Sequence, residues 1–217
     1  MRRVIIFVNG NLSDLSRAKK IITKEDCLIA ADGGVKHILK LGLIPNVVIG
    51  DLDSTPLPIQ NKLERYDIEW VKYPIKKDKT DFELVIDYCL EKKFKEIIIF
   101  GIFGDRIDHL LANIFLLVKV QTENKSIKIK IIEGKKEIYI LNNKITINGN
   151  IGDEVSIIPV SEKLVGITTE GLEYPLDNGQ IIFGSTRGIS NVMNKKIARI
   201  SVKKGVALVE HNTLATI

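Results

Sequence analysis

Asn46-Val47-Val48-Ile49-Gly50-Asp51-Leu52-Asp53-Ser54 is the stretch on which the reading of this chain turns. An apolar run stops at a glycine, and two carboxylates follow, one residue apart. So short a run, closed by glycine, reads as a strand buried on both faces. Polar groups directly after such a strand lie at the carboxyl end of a sheet, where open α/β folds bind ligands. Two carboxylates this close repel each other, so one pKa should rise unless a cation sits between them. Hard oxygen ligands of this kind suit Mg²⁺, which takes one or two carboxylates together with substrate phosphates. The competing reading is an ordinary strand-terminal turn, in which Asp and Ser are common.

The surrounding sequence repeats the pattern. Strands are expected over 4–8, 27–31, 47–49, 69–73 and 97–100, and helices over 13–23 (capped by Ser13), 35–41, 58–66, 80–94 and 108–120. The helix over 80–94 is the clearest, because Phe82, Val85, Ile86, Cys89 and Leu90 recur at helical spacing. The one over 108–120 reads as more completely buried. Strand-helix alternation predicts a mostly parallel sheet with helices on both faces. Three polar motifs directly follow strands: Asp32-Gly33-Gly34, Gly50 to Ser54, and Gly101-Ile102-Phe103-Gly104-Asp105-Arg106-Ile107-Asp108. A parallel sheet places all three at one edge.

Near 122–125 the pattern changes. Ile127, Ile129 and Ile131 alternate with Lys, and alternating runs follow at 137–141, 144–147, 154–159, 181–183, 198–202 and 206–210. Asn142-Asn143, Asn148-Gly149 and Lys204-Gly205 read as hairpin turns between neighbouring runs. The expected organisation is an α/β domain over 1–123 and an all-β sandwich or jelly-roll over 124–217.

Composition narrows the function classes. At 217 residues and 45% hydrophobic content, the chain has material for one large or two small cores. It has no apolar run near the length of a transmembrane helix, so no membrane partner is expected. The N-terminus, basic and then apolar, runs straight into Asn9-Gly10-Asn11 with no small-residue cleavage site, which favours a first strand over a signal peptide. Cys27 and Cys89 are single thiols within apolar patterns, as suits a reducing cytoplasm. The net charge of +5 is largely Lys scattered between Ile residues, and the 6% of aromatic residues do not interleave with basic clusters. Nucleic acid is therefore not the expected partner. The sequence contains neither a P-loop nor a G-x-G-x-x-G fingerprint, and its three histidines, at 37, 109 and 211, lack zinc-ligand spacing.

The candidate site residues are acidic groups with basic neighbours. Lys77-Asp78-Lys79-Thr80-Asp81 stands just before the clearest helix, with Thr80 and Glu83 forming a capping box. The backbone N–H groups there could also hold a phosphate, with Lys79 on its oxygens and Asp78 or Asp81 reaching the metal. In Gly104-Asp105-Arg106-Ile107-Asp108-His109, Asp108 either caps the next helix or serves as metal ligand or general base. Arg106 either pairs with it on the surface or clamps phosphate charge. Gly33 and Gly34 after Asp32 permit a tight turn and would let a nucleotide approach the backbone; Asn9-Gly10 offers the same. Gly184-Ser185-Thr186-Arg187-Gly188-Ile189-Ser190-Asn191 sets small hydrogen-bonding side chains between apolar runs.

Taken together and in order, these motifs make the chain resemble the thiamine pyrophosphokinase family over about residues 4–210. The matching elements are Ala31-Asp32-Gly33-Gly34, Gly50 to Ser54, Lys77 to Asp81, Gly104 to His109 and Gly184 to Asn191. The resemblance implies an α/β nucleotide domain and a β-sandwich, assembled as a homodimer. It implies Mg²⁺-dependent transfer of pyrophosphate from ATP to the hydroxyl of thiamine, giving thiamine diphosphate and AMP. On that reading Asp51, Asp53, Asp78 and Asp81 hold the metal. Asn9, Asp32, Gly33, Gly34, Ser54, Lys79, Thr80, Gly104 and His109 meet the nucleotide. Arg106 stabilises developing charge, and Asp108 is a base or second ligand. Ser185, Arg187, Ser190 and Asn191 would bind thiamine at the dimer interface. The family often carries an aromatic residue near this loop; here Phe183 precedes it and Met193 stands two residues beyond Asn191.

Two other readings compete. Asp51-Leu52-Asp53-Ser54-Thr55 fits the D-x-D-x-[TV] nucleophile motif of haloacid-dehalogenase phosphatases, which predicts a phospho-Asp51 intermediate. That strand normally opens its domain, whereas two strands precede it here. A non-catalytic nucleotide sensor would bind ATP without turnover.

Overall fold

The computed structural model describes residues 2–51, 55–74 and 78–214, so Asp53, Ser54 and Lys77 lie outside the described residues. Contacts divide the chain into two units, Met1–Leu117 with Ser126–Gly134, and Val118–Lys125 with Lys135–Ile217.

The first unit runs β1 (Arg3–Phe7), α1 (Leu15–Ile21), β2 (Cys27–Ala31), a 3-10 turn (Asp32–Gly34) leading into α2 (Val35–Lys40), β3 (Val47–Gly50), α3 (Leu57–Leu63), β4 (Glu69–Lys72), α4 (Asp81–Glu91), β5 (Glu96–Phe100), α5 (Ile107–Glu123) and β6 (Lys128–Glu133). All pairings are parallel, in the order β6-β5-β1-β2-β3-β4. The inner strands β1, β2, β3 and β5 are apolar beyond their opening Arg3 and Glu96, because both faces are covered. Ile5, Phe7, Leu28, Ala30 and Val48 pack with Ala18 of α1 and Val35 and Ile38 of α2 on one face. Residues of opposite parity, such as Ile6, Ile29 and Ile49, are equally buried, and α4 covers β2 and β3 with Phe82, Val85, Ile86 and Cys89. Each fully buried Val, Leu, Ile or Phe among them contributes roughly 1.5–3 kcal/mol.

Three expectations change in this unit. The division is not a single cut at 123/124. It passes through α5, and β6, whose Ile/Lys alternation resembled the first strand of a β domain, pairs parallel with β5. An edge strand of a parallel sheet meets solvent along part of one face, so alternation there does not distinguish it from a sandwich strand. The helix expected from Ser13 starts at Leu15 and is capped by Asp14, whose carboxylate accepts from the Arg17 N–H at 2.9 Å. Finally, α5 is not buried all round. Ile107, Leu111 and Phe115 are 71%, 45% and 57% exposed, an apolar stripe at i, i+4 and i+8.

The second unit is all-β. Its strands are β7 (Lys136–Leu141), β8 (Lys144–Asn148), β9 (Glu154–Pro159), β10 (Lys163–Glu170), β11 (Gly179–Ile182), β12 (Asn191–Val192), β13 (Ile197–Ser201) and β14 (Ala207–Asn212). Antiparallel pairing joins β12-β9-β14-β7 and, separately, β11-β10-β13-β8. Leu141, Val155 and Val209 from the first set meet Leu164, Ala198 and Ile200 from the second in one core, the arrangement of a sandwich. The three expected hairpins are not hairpins. Asn142-Asn143, Asn148-Gly149 and Lys204-Gly205 each carry the chain from one of these sheets to the other, since β7 pairs with β14, β8 with β13 and β9 with β14.

Candidate active site

The parallel order reverses between β1 and β5, and the loops after these two strands are knit together there. The Val8 N–H donates to the Phe100 carbonyl at 2.9 Å, and the Gly10 N–H donates to the Gly101 carbonyl at 2.8 Å. No side chain fits at Gly10, where a Cβ would collide with the Phe103 carbonyl. The crevice beyond such a reversal is where open α/β sheets bind ligands. A cleft of about 290 Å³ opens beside it, lined by Gly10, Asn11, Ser13, Lys36, His37 and Lys40. Burial holds the His37 imidazole below its ordinary pKa, and its Nε2–H donates to the Gly10 carbonyl at 2.8 Å.

One strand further out, Asp32, Asp51 and Asp81 converge. An oxygen from each carboxylate lies within 4.8 Å of the others. Three elements bring them there: Asp32 follows β2, Asp51 follows β3, and Asp81 opens α4 behind the Thr80 cap, whose hydroxyl accepts from the Glu83 N–H at 3.2 Å. Gly50 makes the approach possible. It has φ 152, and a Cβ there would lie 3.0 Å from the Asp32 Cβ and 3.2 Å from Asp81 Oδ1. Asp32 is 6% exposed and adopts φ 43, a left-handed conformation costly for a side chain other than Asn or Asp. The buried Thr55 hydroxyl donates to its Oδ1 at 3.3 Å. Such conformations persist where surrounding structure imposes them, and they cluster at functional sites.

The other anticipated residues divide. Asn9 sits over Gly33, where a Cβ would fall 2.5 Å from its Oδ1, so Gly33 is the glycine that admits Asn9. Asp78 is exposed and stands outside the group of three carboxylates. The Lys79 ammonium is held by carboxylates of α4, Asp87 at 2.6 Å and Glu83 at 3.7 Å. Gly104 and His109 are exposed. Arg106 and Asp108 form an exposed ion pair at 2.5 Å, and the guanidinium holds the Asp108 carboxyl at about 2. A carboxylate that acidic is a weak base at neutral pH. Asp108 also lies inside α5, one residue past its start, so it is not the cap.

In the second unit the Asn191 amide works on the backbone. Its Oδ1 accepts from the N–H groups of Tyr174 at 3.0 Å and Val192 at 2.9 Å, and its Nδ2 donates to the Tyr174 carbonyl at 2.7 Å. One Nδ2 hydrogen remains beyond these bonds for a ligand. Ser190, exposed at φ 55, is anchored by its N–H on the Ser156 hydroxyl at 3.0 Å. The Ser185 hydroxyl accepts from the Arg187 N–H at 3.2 Å, and the Arg187 side chain is exposed. Met193 is fully buried and cannot stack on a ligand, whereas Phe183 is 67% exposed. Sequence reading missed Tyr174, a 66% exposed aromatic gripped by Asn191 from 17 residues away. Nothing local marks that contact.

Comparison with known proteins follows the same division. The family description "Thiamin pyrophosphokinase, catalytic domain" matches residues 18–131, and "Thiamin pyrophosphokinase, vitamin B1 binding domain" matches 142–207. The chain is 35% identical over 187 residues to a thiamine pyrophosphokinase of Bacillus subtilis (strain 168), covering 85% of this chain and 86% of that one. The crystal structure of thiamine pyrophosphokinase from Bacillus subtilis superposes with a TM-score of 0.87 at 31% identity, covering 99% of this chain and 100% of that one. The thiamin pyrophosphokinase structure from Geobacillus thermodenitrificans gives 0.83 at 28% identity, covering 100% and 99%.

Proposed function

The chain belongs to the thiamin pyrophosphokinase family, and from that membership we propose how its residues carry the reaction. The enzyme transfers pyrophosphate from ATP to the hydroxyl of thiamine, giving thiamine diphosphate and AMP. The hydroxyl oxygen bonds to the β-phosphorus and its proton passes to solvent, the bond from that phosphorus to the oxygen bridging to the α-phosphate breaks, and AMP leaves with that oxygen. Family membership does not favour the phosphatase alternative, in which Asp51 itself would carry phosphate.

The observation that carries the site assignment is the convergence of Asp32, Asp51 and Asp81. Three carboxylates so close are mutually repulsive, and a hard divalent cation fits their oxygen donors. We assign Mg²⁺ to them, with Asp32 in place of the exposed Asp78; Asp53 remains in the proposed set on its sequence position. Mg²⁺ bound there would neutralise phosphate charge on ATP and hold its oxygens. Asn9, Gly33, Gly34 and the cleft with Lys36 and Lys40 lie along the same edge and suit the nucleotide. Arg106, exposed and ready to exchange Asp108 for a phosphate, is the charge clamp. Ser185, Arg187, Ser190 and Asn191 are assigned to thiamine, with Tyr174 beside Asn191 as an exposed ring surface. The apolar stripe of Ile107, Leu111 and Phe115 supports a homodimer, since exposed apolar faces commonly mark association surfaces. No helix among the described residues is long and apolar enough to cross a membrane; the free thiols Cys27 and Cys89 suit the cytoplasm.

The test is a product assay with thiamine, ATP and Mg²⁺. Stoichiometric AMP and thiamine diphosphate are expected. ADP, free phosphate, or ATP binding without turnover would each reject the reading.

Arg106→Lys should lower turnover about tenfold or more, because a lost charge-assisted hydrogen bond is worth roughly 1.5–3 kcal/mol and Lys cannot present two parallel donors. The loss should appear in kcat more than in KM if the contact tightens in the transition state. Unaltered kinetics would leave Arg106 as a surface partner of Asp108.

A further inference from the structure

Asp153 and His211 are 58 residues apart and meet inside the second unit, with side chains 1% and 4% exposed. Burial raises the Asp153 pKa, but the Asn150 N–H, the His211 ring and the Leu214 N–H outweigh it, so the group is a carboxylate. His211 Nε2 therefore carries a proton and donates to Asp153 Oδ2 at 2.9 Å. The same carboxylate accepts from the Asn150 N–H at 2.8 Å and the Leu214 N–H at 3.1 Å. Among the described residues, His211 Nδ1 is buried without a hydrogen-bond partner.

A buried polar pair of this kind is weak grounds for stability, since apolar groups of the same shape often serve as well. What this pair does is fix geometry. Asp153 closes the turn over 150–153, and that turn grips the backbone of Met193 from both sides. The Met193 N–H donates to the Asp153 carbonyl at 2.8 Å, and the Gly152 N–H donates to the Met193 carbonyl at 2.8 Å. Met193 is the residue immediately after β12, and β12 pairs with β9 through Asn191 with Val155 and Val192 with Glu154. The fit is tight: a Cβ on Gly149 would stand 2.8 Å from each of Asp153 Oδ2, His211 Nε2 and Met193 Sδ.

We infer that Asp153 and His211 are positioning residues for thiamine, holding β12 so that Ser190 and Asn191 present their polar groups from one fixed place. The inference rests on the assignment of Ser190 and Asn191 to thiamine. It concerns residues that touch no substrate and act through β12.

The test uses the full-length enzyme, with thiamine and ATP varied separately. His211→Leu removes the donor, and His211→Gln keeps an N–H near the position of Nε2. His211→Leu should raise the thiamine KM about tenfold, the scale of one charge-assisted hydrogen bond, while leaving the ATP KM within about twofold. His211→Gln should restore most of the loss. In an Asn191→Ala background, His211→Leu should add little, because both act through one strand. Equal rises in both KM values, a fall in kcat alone, or additive effects would overturn the inference. If His211→Leu is not folded by circular dichroism, His211→Gln against His211→Asn decides, since both keep a polar amide and differ in reach; equal thiamine KM values for the two would overturn it. An Asn191→Ala variant with normal thiamine KM would remove the underlying assignment. A raised KM there, with none in His211→Leu, would sink the positioning role alone.

Discussion

Asp51→Asn should lose activity by about a hundredfold or more while the protein stays folded, because several kcal/mol of charge stabilisation depend on the metal and each ~1.4 kcal/mol is tenfold. Asp32→Asn should behave in the same way, although the sequence reading assigned Asp32 to the nucleotide and not to the metal. The distinguishing readout is not activity. In the metal-free protein three carboxylates lie within 4.8 Å, so removing one negative charge relieves repulsion. Each variant should therefore match or exceed the wild-type melting temperature without Mg²⁺. Adding Mg²⁺ stabilises whichever state binds it, so the wild-type protein should gain melting temperature in Mg²⁺ and the variants should gain less. Asp78→Asn, exposed and outside the cluster, should resemble wild type in that titration. Variants of Asp32 and Asp51 that melt and turn over like wild type, with the same response to Mg²⁺, would remove the metal from this cluster.

The difference between the acidic set read from sequence and the set found in the fold has a geometric cause. Sequence reading paired Asp51 with Asp53 because they are two residues apart. In a parallel sheet the ends of neighbouring strands lie only about 4.8 Å apart, so the residue after β2 meets the residue after β3 across the sheet. Register fixes this: Ala31 pairs with Ile49, which places Asp32 and Gly50-Asp51 side by side. Strand positions were legible because a doubly covered strand is a near-continuous apolar run, as β1, β2, β3 and β5 are beyond their opening Arg3 and Glu96. The C-terminal half was less legible. Asn-Asn and Asn-Gly mark turns, but they do not say which strand the chain joins next, and here the next strand belongs to the other sheet. β10 went unread because its alternation breaks at Gly166, where φ 67 and a register shift between Val165 and Ile167 move the buried set by one residue. β12 is two residues long, too short for any period. The pairing of His211 with Asp153 is carried by register between β14 and β9, which no local pattern encodes.

Mixing the inactive Asp51→Asn with Asn191→Ala, assayed at thiamine too dilute to saturate the latter, should restore activity once subunits exchange. The acidic cluster belongs to the first unit and the Ser190-Asn191 loop to the second, so one substitution disables each half of the proposed site. In a two-fold dimer the contacts are reciprocal, and each site would take its carboxylates from one protomer and its thiamine loop from the other. A mixed dimer then holds one doubly damaged site and one intact site. Random exchange makes half of the dimers mixed, so recovery should approach about a quarter of wild-type activity. The Asn191 substitution also releases the Tyr174 backbone, which deepens its own defect without touching the intact site. Exchange is followed separately, by a mass label on one variant. Full exchange without recovery would mean that carboxylates and loop serve the same chain's site, or that Asn191 takes no part in binding. An Asn191→Ala homodimer with normal activity would select the second of these. Leu111→Glu, which puts a charge on the exposed stripe of α5, should lower both exchange and activity if that stripe is the dimer contact. Its retention of a dimer by light scattering would move the contact elsewhere on the chain.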